Sequence, residues 1–148
     1  MKKINKYIVP LLIAGILLFG VIQLVPFGRD HNNPPIESEP NWSSAEARVL
    51  VKEQCFECHS NETEWPWYSN IAPASWLVAY DVVEGREHLN FSIWSEWDGA
   101  DQEELDEIIE VVQDGEMPPI QYKIFYSNTR LNDQEKQALI SALETSIR

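Results

Sequence analysis

The 148-residue sequence has few of the residues that typify disulfide-stabilised or nucleic-acid-binding proteins. Its two cysteines are only three positions apart, so a disulfide between them would close a very short loop and add little stability. Basic residues are also scarce: there are 11, against 24 acidic residues that all lie at position 30 or later. Such an acidic chain repels a phosphate backbone, and no nucleic-acid partner is expected. The length allows one compact domain, and the role of the cysteines is predicted to be chemical.

Charge is absent from residues 8–27, which read IVPLLIAGILLFGVIQLVPF. At about 1.5 Å per residue, this run is long enough to cross a hydrocarbon core of ~30 Å. It is preceded by Lys2, Lys3 and Lys6, and an excess of lysine marks the cytoplasmic flank of a membrane helix. We therefore predict that residues 1–28 form an uncleaved signal-anchor helix that crosses the membrane once and leaves the rest of the chain outside.

Residues 29–42 combine three prolines with polar residues and show no apolar period, which predicts an extended linker. The folded domain is then expected over residues 43–148. No segment there alternates convincingly as a strand, and the expected class is all-α. Four helices are predicted from caps and apolar spacing: from the capping box Ser43-x-x-Glu46, from Trp76 to a stop near Gly85, from Asp101 to Gly115, and from Asn132 onward.

Cys55-Phe56-Glu57-Cys58-His59 has the C-x-x-C-H pattern of covalent haem attachment. Two cysteines three apart on a helical turn face one side, so their sulfurs can add to the two vinyl groups on one edge of a haem. His59 can then supply the proximal nitrogen to iron. The pattern predicts one covalently attached haem c. Two alternatives are a redox dithiol, which expects a βα context, and a structural zinc site, which lacks a second ligand pair.

A sixth iron ligand has few candidates, because Met117 is the only methionine in the predicted domain. It lies in GEMPP directly after a predicted helix, where prolines stiffen a loop that could hold the thioether toward iron. We predict Met117 as the distal ligand, with His88 as the alternative and His31 as the remaining histidine. The competing interpretations are that Met117 fills a gap in the core and that His88 is a surface side chain.

Aromatic side chains are concentrated after the motif, where large rings could wall a haem and exclude water from it. The residues predicted to do so are Trp65, Trp67 and Trp76, while Trp94 and Trp97 lie further along the chain. Ordinary core packing is the competing interpretation, and the two roles are compatible.

Beyond the motif, residues 55–94 resemble the bacterial haem-binding domain family, small cytochrome-c-like proteins with a C-x-x-C-H motif. The matching positions are Ser60, Asn61, Thr63, Trp65-Pro66-Trp67-Tyr68, Pro73, Trp76, Gly85-Arg86, Leu89-Asn90-Phe91, Trp94 and Gly115-Glu116-Met117-Pro118-Pro119. The resemblance covers residues 42–145, and the apolar span ending in QLVP is also similar. It implies a cytochrome-c-like helical domain around one covalent haem in the bacterial envelope, and it implies no particular reaction.

Three functional hypotheses follow from these features. The first is a membrane-anchored electron carrier with His/Met iron ligation and a redox partner protein in the envelope, located on the bacterial cytoplasmic membrane with its haem domain facing the periplasm or cell exterior. The second is a haem enzyme or a gas or peroxide sensor with an open or displaceable sixth ligand. The third is an assembly protein that docks to a basic partner through its acidic surface. An electron carrier is favoured over an enzyme because no group of residues for substrate chemistry is visible.

Overall fold

A computed structural model describes residues 6–95, 102–125 and 130–147, with backbone only at residues 102, 103 and 125. Over these ranges the chain is helical, and its only strand-like pairing is a parallel bridge between Ser38 and Ile93. The α-helices are α1 (Ile8–Ile22), α2 (Ala45–His59), α3 (Ala74–His88), α4 (Gln102–Gln113), α5 (Ile120–Phe125) and α6 (Asp133–Ile147), and Trp67–Asn70 form a 3-10 helix. The all-helical part of the predicted fold class is confirmed. Trp97 and the predicted cap Asp101 lie outside the described residues.

The chain divides into two compact units. The first contains the described residues up to Asn32 together with Trp65–Asp81, and the second contains residues 33–64 and the described residues from Val82 onward. Helix α3 contributes residues to both units.

In the first unit the apolar N-terminal segment forms a helix of 15 residues that ends at Ile22. At about 1.5 Å per residue it is roughly 22 Å long, which is short of a ~30 Å hydrocarbon core. Across the described ranges, no helix is long and apolar enough to cross a membrane. The predictions of an N-terminal transmembrane helix and of a single-pass location in the bacterial cytoplasmic membrane, with the haem domain facing the periplasm or cell exterior, are therefore wrong.

Helix α1 ends next to Gln23, whose side chain binds four backbone or side-chain groups. Its amide nitrogen donates to the carbonyl of Phe19 at 3.1 Å and to the carbonyl of Ala72 at 2.9 Å. Its amide oxygen accepts from the Ala72 backbone N–H at 3.0 Å and from the Arg29 guanidinium at 3.0 Å. The helix predicted from uncharged residues extends to Phe27, because a run of apolar residues does not show where a polar side chain binds the carbonyls of the last turn.

The second unit has a hydrophobic core in which α6 packs against both α2 and α4. Its buried members include Val51 and Phe56 from α2, Val112 from α4, and Leu139 and Leu143 from α6. The apolar spacing of α4 and α6 predicts this core-facing side, since positions three and four apart share one face. The aromatic part of the core is continuous: ring centroids lie 5.4 Å apart for Phe56–Phe91, 5.6 Å for Trp42–Phe91 and 6.0 Å for Phe91–Trp94.

The N-terminal caps of α2 and α6 show how local sequence sets the helix starts. The predicted box at Asn132 is confirmed: its side-chain oxygen accepts from the Glu135 N–H at 3.0 Å, and the Glu135 carboxylate accepts from the Asn132 N–H at 2.8 Å. For α2 the cap is one residue later than predicted, because Ser44 accepts from the Ala47 N–H at 3.1 Å. Ser43 instead donates its N–H to the Ser146 hydroxyl at 3.1 Å.

A network of charged side chains joins the start of the second unit to α2. Arg48 donates to both carboxylate oxygens of Glu39 at 2.6 Å and to Glu62 at 2.9 Å, and Lys52 donates to Glu62 at 2.9 Å. The Trp42 indole also donates to Glu39 at 2.7 Å. The hydrogen bond from Arg48 is the main cause that holds the pKa of Glu39 below its ordinary value. Part of the segment predicted as an extended linker is thus tied to the helix that carries the cysteine motif.

Glu39→Gln is expected to lower the free energy of unfolding by about 1–2 kcal/mol near neutral pH, because hydrogen bonds between charged groups are lost at a partly buried site. A carboxyl with a lowered folded-state pKa stabilises the fold above its unfolded-state pKa, and this contribution is lost as pH falls through the folded-state pKa. The free energies of unfolding of the variant and the wild type should therefore become equal in acid. Urea titrations across pH measure this, with Glu53→Gln at an exposed position of α2 as control. An equal effect of both substitutions would contradict the prediction.

Candidate functional site

The predicted haem-attachment residues Cys55, Cys58 and His59 lie on the last turn of α2. Helical spacing puts both cysteines on neighbouring positions of one face. Both are half-buried, and neither is oxidised to a disulfide. Burial, together with the neighbouring Cys58, raises the pKa of the Cys55 thiol to about 12. The site therefore presents Cys55 in its protonated form near neutral pH.

His59 is held in one tautomer by the end of α3. Its Nδ1 lies 3.1 Å from the carbonyl oxygen of Leu89, and because a carbonyl only accepts, Nδ1 must carry the proton. Burial lowers the pKa of His59, while hydrogen bonds to the backbone of Leu89 and Gly85 act in the opposite direction. The result is a neutral imidazole whose Nε2 lone pair is available, which is the state in which histidine ligates a metal.

Gly85 lets α3 approach the cysteine motif closely. A Cβ atom added at this position would lie 2.6 Å from the carbonyl oxygen of Cys58 and 2.9 Å from its Cβ. The prediction that Gly85 ends the helix is wrong, since α3 continues to His88. A glycine inside a helical pattern is destabilising, so its presence signals a packing requirement. The sequence contained this signal, although it was interpreted as a stop.

Arg86 binds the segment that directly follows the cysteine motif. Its guanidinium donates to the Ser60 carbonyl at 2.8 Å and to the Thr63 hydroxyl at 3.0 Å. The Thr63 hydroxyl in turn donates to the Glu57 carbonyl at 2.8 Å. Burial lowers the pKa of Arg86, and the neighbouring Cys58 partly offsets this. Sequence reasoning from the residues alone missed both Arg86 and the Leu89 carbonyl, because their contacts link segments about 30 residues apart.

Between the two cysteines, Glu57 is half-buried and accepts a hydrogen bond from the backbone N–H of Glu64 at 2.9 Å. Burial is the main cause that raises the pKa of Glu57 to about 7. Burial is also the main cause of the pKa shifts of Cys55 and His59. The surroundings of the motif are therefore partly desolvated.

Met117, the predicted distal ligand, lies in the second unit on a turn that ends α4. Gly115 has a φ of 73° and donates to Val112 at 3.2 Å, while Glu116 donates to Val111 at 3.0 Å, which is a Schellman arrangement. The Met117 N–H also donates to Val111 at 3.1 Å, and its side chain is 40% exposed. Sequence signals therefore place the helix end correctly and put a thioether at the surface of an ordered turn.

The turn at Met117 is stabilised by two lysines from elsewhere in the second unit. Lys123 donates to the Gly115 carbonyl at 2.7 Å, and Lys136 donates to the Gln113 carbonyl at 3.1 Å. Ammonium groups at a helix C-terminus satisfy free carbonyls and interact favourably with the helix dipole. His88, the alternative ligand, has a side chain that is 81% exposed, and its Nε2 lies 4.0 Å from Glu84.

The tryptophans predicted to line a haem, Trp65, Trp67 and Trp76, belong to the first unit. Trp65 stacks on His31 with ring centroids 4.7 Å apart, and the His31 Nε2 lies 2.8 Å from the Ser69 hydroxyl. Trp67 is 77% exposed, whereas the indole nitrogen of Trp76 is buried and has no hydrogen-bond partner among the described residues. These facts give each tryptophan a different environment, and their role around a haem remains a prediction.

The donor set of the second unit fits a covalently attached haem. Two unoxidised thiols stand three residues apart on one helix, and the adjacent imidazole offers Nε2 because Nδ1 is taken by Leu89. Over the part of the chain that the structure describes, there is no group of three or more His, Cys, Asp or Glu side chains that could hold a metal ion by themselves. The haem would thus bring its own ring nitrogens, with His59 as a ligand from the protein.

A family model described as a haem-binding domain matches residues 17–145, which is most of the chain. No curated protein and no solved structure shows significant similarity to the chain.

Proposed function

The chain belongs to the haem-binding domain family and binds haem, and we propose that it holds one haem c covalently and uses it to transfer electrons. Cys55 and Cys58 are the proposed attachment points, His59 the proximal ligand and Met117 the distal ligand. When bound, the cofactor supplies a reversible one-electron couple at its iron. A redox partner protein is part of the proposal, and a basic surface on it would suit the net charge of −13.

The observation that carries the proposal is the hydrogen bond between His59 Nδ1 and the Leu89 carbonyl, 3.1 Å long. A histidine that ligates a metal nearly always donates its other ring N–H to a carbonyl or carboxylate, which fixes the tautomer and raises the basicity of the ligand. Here that arrangement belongs to the histidine directly after the second cysteine.

The cysteines suit covalent attachment because both are free thiols on the same helix. Each thiol supplies both the sulfur and the hydrogen that add across one vinyl group, so a thioether forms without an oxidant or reductant. The position of both cysteines on one helical turn lets the two bonds form on one edge of the ring. The two thioethers would then hold the ring beside His59, so that ring and ligand are oriented together.

Electron transfer is tested by potentiometry on the purified protein, followed through its visible spectrum. We expect a reversible one-electron transition and a low-spin iron in both oxidation states. Irreversible behaviour, or a high-spin iron that binds added ligands at once, would contradict the proposal.

Met117→Ala is expected to convert the iron from low spin to a form with an open sixth position, because the protein then lacks the proposed thioether ligand. Loss of the absorption features of thioether ligation and a gain of at least about tenfold in the rate of carbon monoxide binding would show this. Ile120→Ala is the matched control, since Ile120 is also exposed and lies three residues further along. An unchanged spectrum in Met117→Ala would remove Met117 from the proposed ligand set.

The 40% exposure of Met117 favours a second candidate function, a haem enzyme or a gas or peroxide sensor with an open or displaceable sixth ligand. In that case the wild type itself would bind carbon monoxide, nitric oxide or peroxide rapidly, and Ile120→Ala and Met117→Ala would behave alike. Slow ligand binding by the wild type together with undetectable peroxide turnover would reject this candidate.

A further inference from the structure

We propose that Asn61 and Asn90 are positioning residues. The hydrogen bond between their side-chain amides joins the segment after His59 to the segment after α3, and so holds the Leu89 carbonyl at His59 Nδ1. The role assigned to them at the iron rests on the proposed function, whereas their role in fixing the imidazole does not.

His59 is attached at two points to the segment that follows α3. Its Nδ1 donates to the Leu89 carbonyl at 3.1 Å, and its own carbonyl accepts from the Phe91 N–H at 2.8 Å. The segment therefore forms hydrogen bonds with both the ring and the backbone of His59. Any movement of residues 89–91 relative to residue 59 would change the contact at Nδ1.

The side chains of Asn61 and Asn90 lock this segment in place. Asn90 donates its amide N–H to the Asn61 amide oxygen at 3.0 Å and accepts from the Ser92 N–H at 2.9 Å. Asn61 donates its backbone N–H to the Ser92 hydroxyl at 2.9 Å and its amide N–H to the Pro35 carbonyl at 2.8 Å. Asn61 is 5% exposed, Asn90 7% and Ser92 not at all.

A buried polar network in which donors and acceptors are paired is rigid, because each lost partner costs about 1–3 kcal/mol of desolvation that water cannot repay. Asn61 follows the proposed iron ligand His59 by two residues, and Asn90 directly follows Leu89, whose carbonyl accepts from His59 Nδ1. The amide pair thus connects the two segments beside the hydrogen bond that fixes the imidazole. Core packing alone would be served as well by apolar side chains of similar volume at these positions.

The expected consequence at the iron follows from the effect of an outer hydrogen bond on ligand basicity. A firm bond from Nδ1–H to a carbonyl makes the imidazole a better electron donor and so stabilises the oxidised iron. Loosening that bond should move the reduction potential to a more positive value. The same change should expose Nδ1–H to exchange with solvent.

Two isosteric substitutions distinguish the hydrogen bond between the two side-chain amides from the other contacts of these residues. Asn61→Asp retains the oxygen that accepts from Asn90, while it loses the donor to Pro35 and sets a carboxylate oxygen against the Pro35 carbonyl. Asn90→Asp loses the donor to Asn61 and sets two acceptors against each other. Both place one carboxyl in the same buried site, so Asn61→Asp is the control for the added charge. Asn90→Ala serves as a second variant that removes the donor without adding charge.

The readout is the hydrogen-exchange rate of the His59 Nδ1–H in the full chain labelled with ¹⁵N-histidine, which can be followed whether or not haem is attached. We expect exchange about tenfold faster in Asn90→Asp and Asn90→Ala and nearly unchanged in Asn61→Asp, because a bond worth about 1.4 kcal/mol corresponds to a factor of ten. In haem-loaded protein, the potential of Asn90→Asp should lie above that of Asn61→Asp.

Unchanged exchange in folded Asn90→Ala, or equal acceleration in Asn61→Asp and Asn90→Asp, would overturn the proposal. Accelerated exchange without the difference in potential would overturn the role at the iron and leave the role in fixing the imidazole. A purified wild type that carries no haem would instead contradict the proposed function, and the exchange rates would still test the amide pair.

Discussion

The double variant Cys55→Ala, Cys58→Ala is expected to lose all covalently bound haem. Each of the two proposed thioethers needs a sulfur from this chain, and these two cysteines are the only ones in the sequence. Each single variant should keep one bond, so that haem stays with the denatured protein in reduced amount and the visible spectrum of its reduced form shifts because one vinyl group remains. Denaturing gels stained for haem and intact-protein mass measure this directly.

Val49→Ala is the matched control for the cysteine variants, since Val49 is 53% exposed and lies on the same helix. It should retain haem at the wild-type level. Haem that remains attached to the double variant under denaturing conditions would contradict attachment at the motif.

Gly85→Ala is expected to destabilise the fold by about 1–3 kcal/mol, because one added methyl group would overlap the backbone of Cys58 and force α2 and α3 apart. The atoms nearest to the added methyl group are backbone atoms and a Cβ of Cys58, which cannot move aside as a flexible side chain can. Displacement of Cys58 would also move His59 relative to Leu89, so the yield of attached haem should fall with the stability. Denaturant titration and haem-to-protein ratio measure the two effects.

The helix α1 supplies the control for that substitution. A Cβ added at Gly20 would meet nothing within 4 Å, so Gly20→Ala should be neutral or stabilise by up to about 1 kcal/mol, as expected for alanine in place of glycine in a helix. If Gly85→Ala were as stable as Gly20→Ala and carried a full complement of haem, the close approach of Gly85 to Cys58 would not be needed for stability or for haem attachment.

The features that the sequence predicted correctly are those that depend on near neighbours. The capping box at Asn132 needs only the residue three positions later, and the end of α4 needs only Gly115 and the helix before it. The C-x-x-C-H motif is equally local, and the haem-binding family that it suggested is confirmed by the match over residues 17–145.

The features that the sequence did not predict depend on contacts between distant segments. Gly85 was expected to stop α3, yet it lies inside the helix because its missing side chain makes room for Cys58. Likewise, the carbonyl of Leu89 has no side-chain signal, and its partner His59 lies 30 residues earlier. Only a folded chain brings such pairs together, so periodicity and propensity cannot reveal them.

The error at the N-terminus has a different cause. Hydropathy counts apolar residues without regard to where the helix ends, and the uncharged run extends five residues past Ile22. Helix α1 ends at Ile22, short of membrane length, and the next residue, Gln23, binds the carbonyls of Phe19 and Ala72.

The most direct test of the central claim, that this chain carries haem through Cys55 and Cys58, is extraction of the purified wild-type protein with acidified acetone followed by a pyridine haemochrome spectrum of the protein fraction. One haem per chain should stay with the protein and give the spectrum of a haem whose two vinyl groups are both saturated by thioether bonds. Haem that passes entirely into the acetone, or a spectrum with intact vinyl groups, would contradict attachment at these cysteines.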